Sequence, residues 1–169
     1  MQLVVIAHNI RSTHNVGSIF RTCEGFGVEH LYLTGYSPFP SVQNDSRLPH
    51  IREKLTAQIH KTALGAETML PFSYSESIAP LLTELKRAGF SIIGLEQTKD
   101  SILLQDFQPP QKVALLLGEE VDGISAAIQQ LCDTFIEIPM DGKKESFNVS
   151  VATGIAIFGI QYPRLTSKS

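Results

Sequence analysis

The sequence predicts an α/β fold, with a mainly parallel sheet flanked by helices. Short apolar segments typical of strands alternate along the chain with longer segments of helical periodicity, and this alternation is characteristic of parallel sheets. The strand-like segments are apolar throughout, as at residues 113–117, which favours a sheet that is covered on both faces. A length of 169 residues is that of one domain. We therefore expect a single domain over residues 1–169.

Each predicted element is bounded by recognisable signals. The first helix has Asn15 as its candidate N-cap and Gly27 just after its end, and Gly89 follows the third helix. Residues 36–50 hold three prolines and are predicted as a loop. The predicted strands cover residues 3–7, 30–34, 91–95, 112–117 and 135–138, and the predicted helices cover residues 15–26, 51–64 in part, 77–88, 125–131 and 147–160.

Composition excludes several classes of protein. Hydrophobic residues make up 43% and charged residues 18%, which excludes a disordered chain, a coiled coil and a collagen-like chain. No apolar run approaches the roughly 18 residues of a membrane span, and the first residues lack the basic segment of a signal peptide. Two cysteines make no disulfide framework. The expected compartment is therefore the cytoplasm.

The net charge is −3, from 14 basic and 17 acidic residues. A protein that binds polyanions without specificity carries a surplus of basic residues. We therefore do not expect this protein to be a non-specific polyanion binder. Basic residues nevertheless cluster locally: Arg11 and Arg21 lie on one segment, several more lie between residues 47 and 61, and Lys143 is next to Lys144. A fold that gathers these groups would form a local basic patch.

Three segments that follow predicted strands are candidates for a functional site, because ligands of parallel sheets bind beyond the carboxyl ends of the strands. In the first segment, residues 9–21, Asn15 and Gly17 stand at a helix start, where free backbone N–H groups favour anions. Arg21 falls on the polar face of the same helix. The alternative for Arg21 is a solvated surface side chain.

The second and third segments are residues 118–125 and 139–148. In the second, Gly118 and Gly123 bracket three acids directly after an apolar strand, and glycine lets a ligand approach the backbone. The alternative is an acidic turn before a helix. In the third, Ser146 is a candidate N-cap for the last helix. That helix is apolar nearly all round, so we expect part of it, including Ile157 and Phe158, to pack against a partner subunit.

Other sites are not supported by the motifs present. The sequence has no GxGxxG, no P-loop and no GxSxG elbow. Its five histidines are scattered without ligand spacing, and it has no CxxC. Cys23 lies on the apolar face of the first helix, so it is predicted to be a core residue and not a nucleophile.

Together, three motifs resemble those of the SpoU (TrmH-type) branch of the SPOUT superfamily of RNA methyltransferases. The first motif is at residues 15–22, the second at residues 117–125, and the third at residues 138–140 and 146–152. They occur in the family's order and cover most of the chain. A departure is Phe147, which stands where leucine is commoner in the family.

The resemblance implies transfer of a methyl group from S-adenosylmethionine to a ribose 2'-hydroxyl of RNA. It also implies a trefoil knot near the C-terminal end and a homodimer, with no metal and no membrane. Transfer RNA is the first candidate for the substrate, since stand-alone members of this branch often act on it, and ribosomal RNA is the second. No separate RNA-binding domain is expected within residues 1–169.

The resemblance also implies roles for individual residues. Arg21 would clamp a substrate phosphate and orient the hydroxyl, since a guanidinium is a poor base. Asn15 would hold substrate or support its loop, Glu120 would orient Arg21 or the neighbouring loop, and Asn148 would shape the site. The residues implied in cofactor binding are Leu95, Gly118, Ile138, Met140, Ser146 and Phe147.

Two other functions stay open at this point. One is a catalytically silent RNA-binding protein on the same fold. The other is a metal-dependent phosphohydrolase that uses acidic residues. That site would be formed by Glu119, Glu120, Asp122 and Asp141, although no histidine lies near them in the sequence and their spacing fits no paired-carboxylate site.

Overall fold

One parallel sheet runs through the computed structural model, which describes residues 1–163. Residues 164–169 of the predicted domain lie outside the described residues. The strands of the described part are β1 (Gln2–His8), β2 (His30–Thr34), β3 (Phe72–Ser75), β4 (Ser91–Leu95), β5 (Ile102–Leu103), β6 (Lys112–Leu117) and β7 (Thr134–Glu137). They lie in the order β3-β2-β1-β6-β4-β7-β5, and every neighbouring pair is parallel.

Helices cover both faces of the sheet, as the apolar strands predict. The helices of the described part are α1 (Thr13–Gly25), α2 (Pro49–Ala63), α3 (Ala66–Met69), α4 (Ile78–Arg87), α5 (Ala126–Gln129) and α6 (Val149–Gln161), with a 3₁₀ turn at Leu104–Asp106. On one face α1, α2 and α6 form a core with the sheet. On the other face α4 and the segment around α5 form a second core. The predicted α/β class is therefore confirmed.

The register of the central strands brings the candidate segments to one edge. At the carboxyl end of β1, Ala7 pairs with Leu117 of β6 and with Leu33 of β2. Leu95, at the end of β4, pairs with Leu117 on one side and with Ile136 of β7 on the other. The loops that follow β1, β2, β4, β6 and β7 therefore lie next to one another.

The predicted strands are all present, with ends that differ by one residue or not at all. Two short edge strands, β3 and β5, were missed. Residues 72–75 read Phe-Ser-Tyr-Ser, without the apolar run of a covered strand, and β5 has only 2 residues. The predicted helix at residues 125–131 is a single turn of 4 residues, α5.

Two predicted N-caps are wrong. α1 begins two residues before Asn15, and its N-cap is Ser12, whose hydroxyl accepts a hydrogen bond from the Asn15 backbone N–H at 3.2 Å. α6 is capped by Asn148, whose Oδ1 accepts from the Ser150 backbone N–H at 3.0 Å. Ser146 lies two residues ahead of that cap. The side chains of Asn15 and Ser146 are thereby left to serve other contacts.

Gly17 lies at a close contact between α1 and α2. A Cβ at this position would lie 2.2 Å from Thr62 Oγ1 and 2.3 Å from the Ile59 carbonyl oxygen. Thr62 Oγ1 donates to the His14 carbonyl oxygen at 2.8 Å, which joins the same two helices. The glycine thus permits close helix packing. The backbone N–H groups of Asn15 and Gly17 are not free for the expected anion, because that of Asn15 donates to Ser12 Oγ and Gly17 is already the fifth residue of α1.

The trefoil knot implied by the family resemblance stays a prediction. Among residues 1–163, no helix has both the length and the apolar character needed to cross a membrane.

Candidate functional site

A cleft with a cavity volume of about 620 Å³ opens at the carboxyl edge of the sheet. It lies between the ends of β4, β6 and β7 and the beginning of α6, and we call it the cofactor cleft after the role that the family resemblance implies for residues lining it. All the residues implied in cofactor binding line it, namely Leu95, Gly118, Ile138, Met140, Ser146 and Phe147. The sequence therefore predicted the walls of one real cavity.

The cofactor cleft has one apolar and one acidic side. Leu95, Leu117, Ile138 and Ala152 are among its apolar residues. Phe147 also lines the cleft with 41% of its surface exposed, an unusual state for a large aromatic side chain. None of the described lining residues is basic, whereas six are acidic: Glu96, Glu119, Glu120, Asp122, Glu137 and Glu145. The cleft therefore favours a ligand with an apolar, flat part and a positive charge.

The segment at residues 118–125 closes on itself at the mouth of the cleft. The backbone N–H of Glu119 donates to the Gly123 carbonyl oxygen at 3.0 Å, and the N–H of Gly123 donates back to the Glu119 carbonyl oxygen at 3.1 Å. A Cβ on Gly118 would lie 2.6 Å from the Gly123 carbonyl carbon and 2.7 Å from Ile124 Cγ1. The loop that folds over Gly118 therefore leaves no room for a side chain there, and the expected approach of a ligand to its backbone stays a prediction.

Glu96 holds this loop against the end of β4. Its Oε2 accepts a hydrogen bond from the Ile124 backbone N–H at 3.0 Å, and its Oε1 accepts from the Gln97 N–H at 3.1 Å. Glu96 is not among the site residues predicted from the sequence. Its only local signal is a charged residue directly after an apolar strand, and the contact it makes is to a residue 28 positions away.

Three of the four residues implied in catalysis form one hydrogen-bonded chain. Asn15 Nδ2 donates to Glu120 Oε1. Asn148 Nδ2 donates to Asn15 Oδ1 at 3.1 Å, and Asn148 Oδ1 accepts from Ser150. One residue from each of the three motifs is thus fixed at one point beside the cofactor cleft. These contacts fix Asn15 and Asn148 in orientation, with the amide oxygen of Asn15 turned toward α6.

Arg21 is placed apart from that chain. It is exposed and lines a shallow groove between α1 and α6, of about 580 Å³, together with Phe26, Val151 and Phe158. Val151 lies between two residues of α6, Val149 and Ala152, that line the cofactor cleft. The groove thus adjoins the cleft, but the catalytic role of Arg21 stays a prediction.

A second polar cluster lies behind the acidic loop. Asn9 Nδ2 donates to Glu119 Oε1 at 2.8 Å. This bond, with a further contact to Tyr36, holds the pKa of Glu119 below its ordinary value. His8 shares a 2.8 Å hydrogen bond with Thr34 Oγ1, and burial lowers the pKa of His8. Glu119 and Glu120 are therefore engaged by different asparagines and point to different neighbours.

Two of the four acidic residues considered for a phosphohydrolase, Glu119 and Glu120, are thus held by asparagine amides. Within residues 1–163 no group of three or more histidine, cysteine, aspartate and glutamate side chains is placed to hold a metal ion. Cys23 is fully buried in the core, as predicted. Burial raises the pKa of its thiol above the ordinary range.

The fold and the cleft define an α/β protein whose candidate ligand site lies beyond the carboxyl ends of parallel strands. The model of the SpoU rRNA Methylase family matches residues 2–158 of the chain. The chain therefore belongs to this family, and the resemblance seen in the three motifs is confirmed.

Curated relatives and solved structures agree with this assignment. The chain is 32% identical over 162 residues to the tRNA (guanosine(18)-2'-O)-methyltransferase of Aquifex aeolicus, and the match covers 96% of this chain and 70% of that protein. It is 32% identical to the 23S rRNA (guanosine-2'-O-)-methyltransferase RlmB of Nitrosomonas europaea, with 92% of this chain and 54% of that protein covered. The crystal structure of the A. aeolicus TrmH/SpoU tRNA modifying enzyme has a TM-score of 0.78 at 28% identity, covering 97% of this chain and 76% of that one.

A further structure, that of AviRb from Streptomyces viridochromogenes in complex with AdoMet, shares the fold with a TM-score of 0.79 at 24% identity, covering 99% of this chain and 59% of that one. AdoMet, S-adenosylmethionine, is the cofactor of the family. The predicted class of enzyme, an RNA 2'-O-ribose methyltransferase, is therefore confirmed.

Proposed function

We propose that the protein transfers a methyl group from S-adenosylmethionine to a ribose 2'-hydroxyl of a transfer RNA. The observation that carries the proposal is the hydrogen-bonded chain of Glu120, Asn15 and Asn148 beside the cofactor cleft. The relative of A. aeolicus named for tRNA supports the choice of substrate, since this chain spans 70% of it. Ribosomal RNA is the alternative, supported by the RlmB relative.

The cofactor cleft fits S-adenosylmethionine in shape and in charge. Its 620 Å³ lie within the usual range of small-molecule sites. Leu95, Ile138 and Phe147 would enclose the flat adenine, and the acidic side would face the positively charged sulfonium. When bound, S-adenosylmethionine supplies an activated methyl group.

The chain's own residues would position the ribose. The Asn148 amide donates one N–H to Asn15, and its second N–H is directed by the same contact. Glu120 fixes Asn15, so that the amides form a rigid platform for a sugar or phosphate oxygen. Positioning of this kind lowers the barrier for a weak nucleophile. Arg21 would clamp a neighbouring phosphate.

The test is incorporation of labelled methyl groups from S-adenosylmethionine into unmodified tRNA and 23S rRNA, with and without EDTA. We expect label in tRNA, at a nucleotide that then resists alkaline cleavage, because a 2'-O-methyl group removes the attacking hydroxyl. Asn148→Ala should lower the rate by about 10²-fold, whereas Asp141→Asn, an exposed change in the same loop, should not.

Label in rRNA alone would change the proposed substrate. Label in a base, or binding of cofactor without transfer to any RNA, would contradict the proposed reaction. The second of these outcomes is the one expected of a silent RNA-binding protein.

We further propose that two copies of the chain associate through the groove between α1 and α6. Two residues of α6, Val151 at 51% and Phe158 at 40%, are exposed, and Tyr162 just beyond α6 is 46% exposed. Ile157, expected to lie at the same interface, is fully buried in the chain's own core and is therefore not part of it. Arg21 lines this groove, so a dimer formed through it would place Arg21 beside the second copy.

Phe158→Asp tests the dimer, because an unpaired charge at a buried interface is costly. We expect light scattering to give a dimer for the wild type and a folded monomer for this variant. Met69→Asp is the control, since Met69 is 69% exposed and lies on α3. A wild-type monomer at micromolar concentration would refute the proposal.

A further inference from the structure

A second cleft of about 570 Å³ lies at the same edge of the sheet, between the loops after β1 and β2 and the helix α2. We call it the aromatic cleft. Two arginines and three aromatic side chains line it, namely Arg11, Arg47, Tyr36, Phe39 and Tyr74. None of these residues belongs to the three motifs, and none has a place in the reaction described above.

One wall of the aromatic cleft is a fixed stack of rings. Phe39 and Tyr74 are stacked with ring centroids 4.0 Å apart and an angle of 15° between the planes. The Arg47 guanidinium carbon lies 3.5 Å from the Phe39 ring centroid. Asp45 holds this guanidinium, with Arg47 Nε donating to Asp45 Oδ1 at 2.9 Å. The charge of Arg47 is thus compensated, and this wall is rigid.

Tyr36, by contrast, is held in place while its ring is open to solvent. Its backbone N–H donates to Asn9 Oδ1 at 3.1 Å, and its side chain is 49% exposed. The Arg11 guanidinium carbon lies 5.7 Å from its ring centroid. Among the described residues Arg11 is exposed and forms no ion pair. The Arg11 guanidinium lies over this ring, and Arg11 Nε donates to the Tyr36 hydroxyl at 3.5 Å. An exposed aromatic ring and an exposed guanidinium that has no ion-pair partner among the described residues are therefore held together.

The aromatic cleft and the cofactor cleft adjoin at the beginning of α1. Ser12 and Thr13 line the aromatic cleft, and Asn15, in the next part of the same helix turn, lines the cofactor cleft. The hydrogen bond from Asn9 to Glu119 joins the loop that holds Tyr36 to the loop that bounds the cofactor cleft. An RNA with one nucleotide beside Asn15 could therefore place the next nucleotide at Tyr36.

We propose that the aromatic cleft binds an unpaired nucleotide next to the methylated one, with its base stacked on Tyr36 and its phosphate contacted by Arg11. Exposed aromatic rings and arginines beside them are the means by which proteins hold single-stranded RNA. A base inside a duplex has both faces covered by its neighbours, so the stacked nucleotide must be unpaired. The inference rests on the proposed function and adds that the RNA is single-stranded beside the reacting ribose.

The test measures binding of a fluorescein-labelled 15-nucleotide single-stranded RNA of mixed sequence by anisotropy, with S-adenosylhomocysteine present. Stacking of a base on an aromatic side chain is worth about 1–3 kcal/mol, so Tyr36→Ala should weaken binding by about 5- to 150-fold. Tyr36→Phe keeps the ring and should bind as the wild type does. The same RNA annealed to its complement should bind less tightly to the wild type and lose little affinity in Tyr36→Ala.

Arg11→Ala provides a second variant and a different readout. It should lower the slope of log Kd against log salt concentration by about 0.7, the value for one phosphate contact on a single strand. Arg87→Ala is the matched control, since Arg87 is exposed at the end of α4, before the amino end of β4, and should leave the slope unchanged.

The outcomes separate this inference from the proposed function. A wild type that methylates RNA but binds the single strand no better than Tyr36→Ala and Arg11→Ala do would overturn the inference alone. A wild type that neither methylates nor binds any of the RNAs would overturn both. RNA binding is compared at saturating S-adenosylhomocysteine, as judged by calorimetry, because Tyr36 contacts Glu119 of the cofactor cleft. A loss of RNA affinity in Tyr36→Ala that disappears at saturation would overturn the inference.

Discussion

Asn15 and Arg21 belong to the same sequence motif, but the helix places them in different surroundings. They are six positions apart on α1, which corresponds to a rotation of about 240° at about 100° per residue. Asn15 faces Glu120 and Asn148, whereas Arg21 lies in the groove with Val151 and Phe158. The two side chains are therefore placed for separate tasks, one beside the cleft of its own chain and one at the surface that we propose for the dimer.

Arg21→Ala should lower the rate of methyl transfer by about 10²–10³-fold, because a group that orients or stabilises charge at the reacting centre is worth that much. The free energy of unfolding should change by no more than about 0.5 kcal/mol, since the side chain is exposed. Arg21→Lys should restore part of the rate, as lysine keeps the charge but not the planar fork. Single-turnover methylation with cofactor titration measures the rates, light scattering measures the oligomeric state, and urea denaturation measures the free energy of unfolding.

Near-wild-type transfer by a dimeric Arg21→Ala would contradict the catalytic role. Full rescue by lysine would reduce that role to a point charge.

Residues that line the cofactor cleft could be predicted from the sequence because they belong to the motifs, as Gly118 and Phe147 do. The structural reason for a glycine at position 118 could not be predicted, since it depends on the loop folding back so that Gly123 lies against Gly118. Glu96 and Tyr36 were missed because no motif includes them. The contacts that reveal them, to Ile124 and to Asn9, join segments that are far apart in the chain.

The contact of α1 with α2 depends on Gly17. Gly17→Ala should lower the free energy of unfolding by about 1–3 kcal/mol, because the added methyl group would lie within 2.3 Å of α2 backbone and overpacking of this kind is costly. Gly25→Ala, on the same helix, is the control. No atom lies within 4 Å of the added Cβ there, so alanine should be neutral or stabilising. Urea denaturation of both variants measures the difference. Equal stability of the two would show that α2 moves aside without cost.

Whether an element could be predicted depends on whether its own residues define it. α4 was predicted nearly to the residue, because its apolar positions repeat with helical spacing and Gly89 follows it. The starts of α1 and α6 were misplaced because several Ser and Asn side chains near each start can cap, and tertiary contacts decide among them. Asn148 caps α6 while it also contacts Asn15 on another helix, and nothing in the local sequence records that.

Burial of histidines makes the stability of the whole fold depend on pH. Burial lowers the pKa of His8 and of His30 below the ordinary 6.5, and for His8 it outweighs the attraction of Glu119. Below that pH the unfolded chain therefore binds more protons than the folded one. The free energy of unfolding should be highest above about pH 6.5 and should fall as the pH decreases. Urea denaturation between about pH 7.5 and pH 5.5 isolates this effect, since the carboxyl groups titrate lower.

The double variant His8→Asn, His30→Gln should show a smaller decrease over the same interval. A free energy of unfolding that does not change with pH in the wild type would mean that both imidazoles stay accessible to protons in the folded state.

The position of β1 has a consequence for how the protein is synthesised. β1 lies between β2, which follows it closely, and β6, whose Lys112 pairs with Gln2. While the ribosome makes the first two thirds of the chain, β1 therefore has one edge without a partner, open to pairing with other strands. Pairing between distant segments is also slow. The sheet of the nascent chain therefore cannot be completed until β6 has been synthesised. During this interval the chain is most exposed to aggregation and to chaperones.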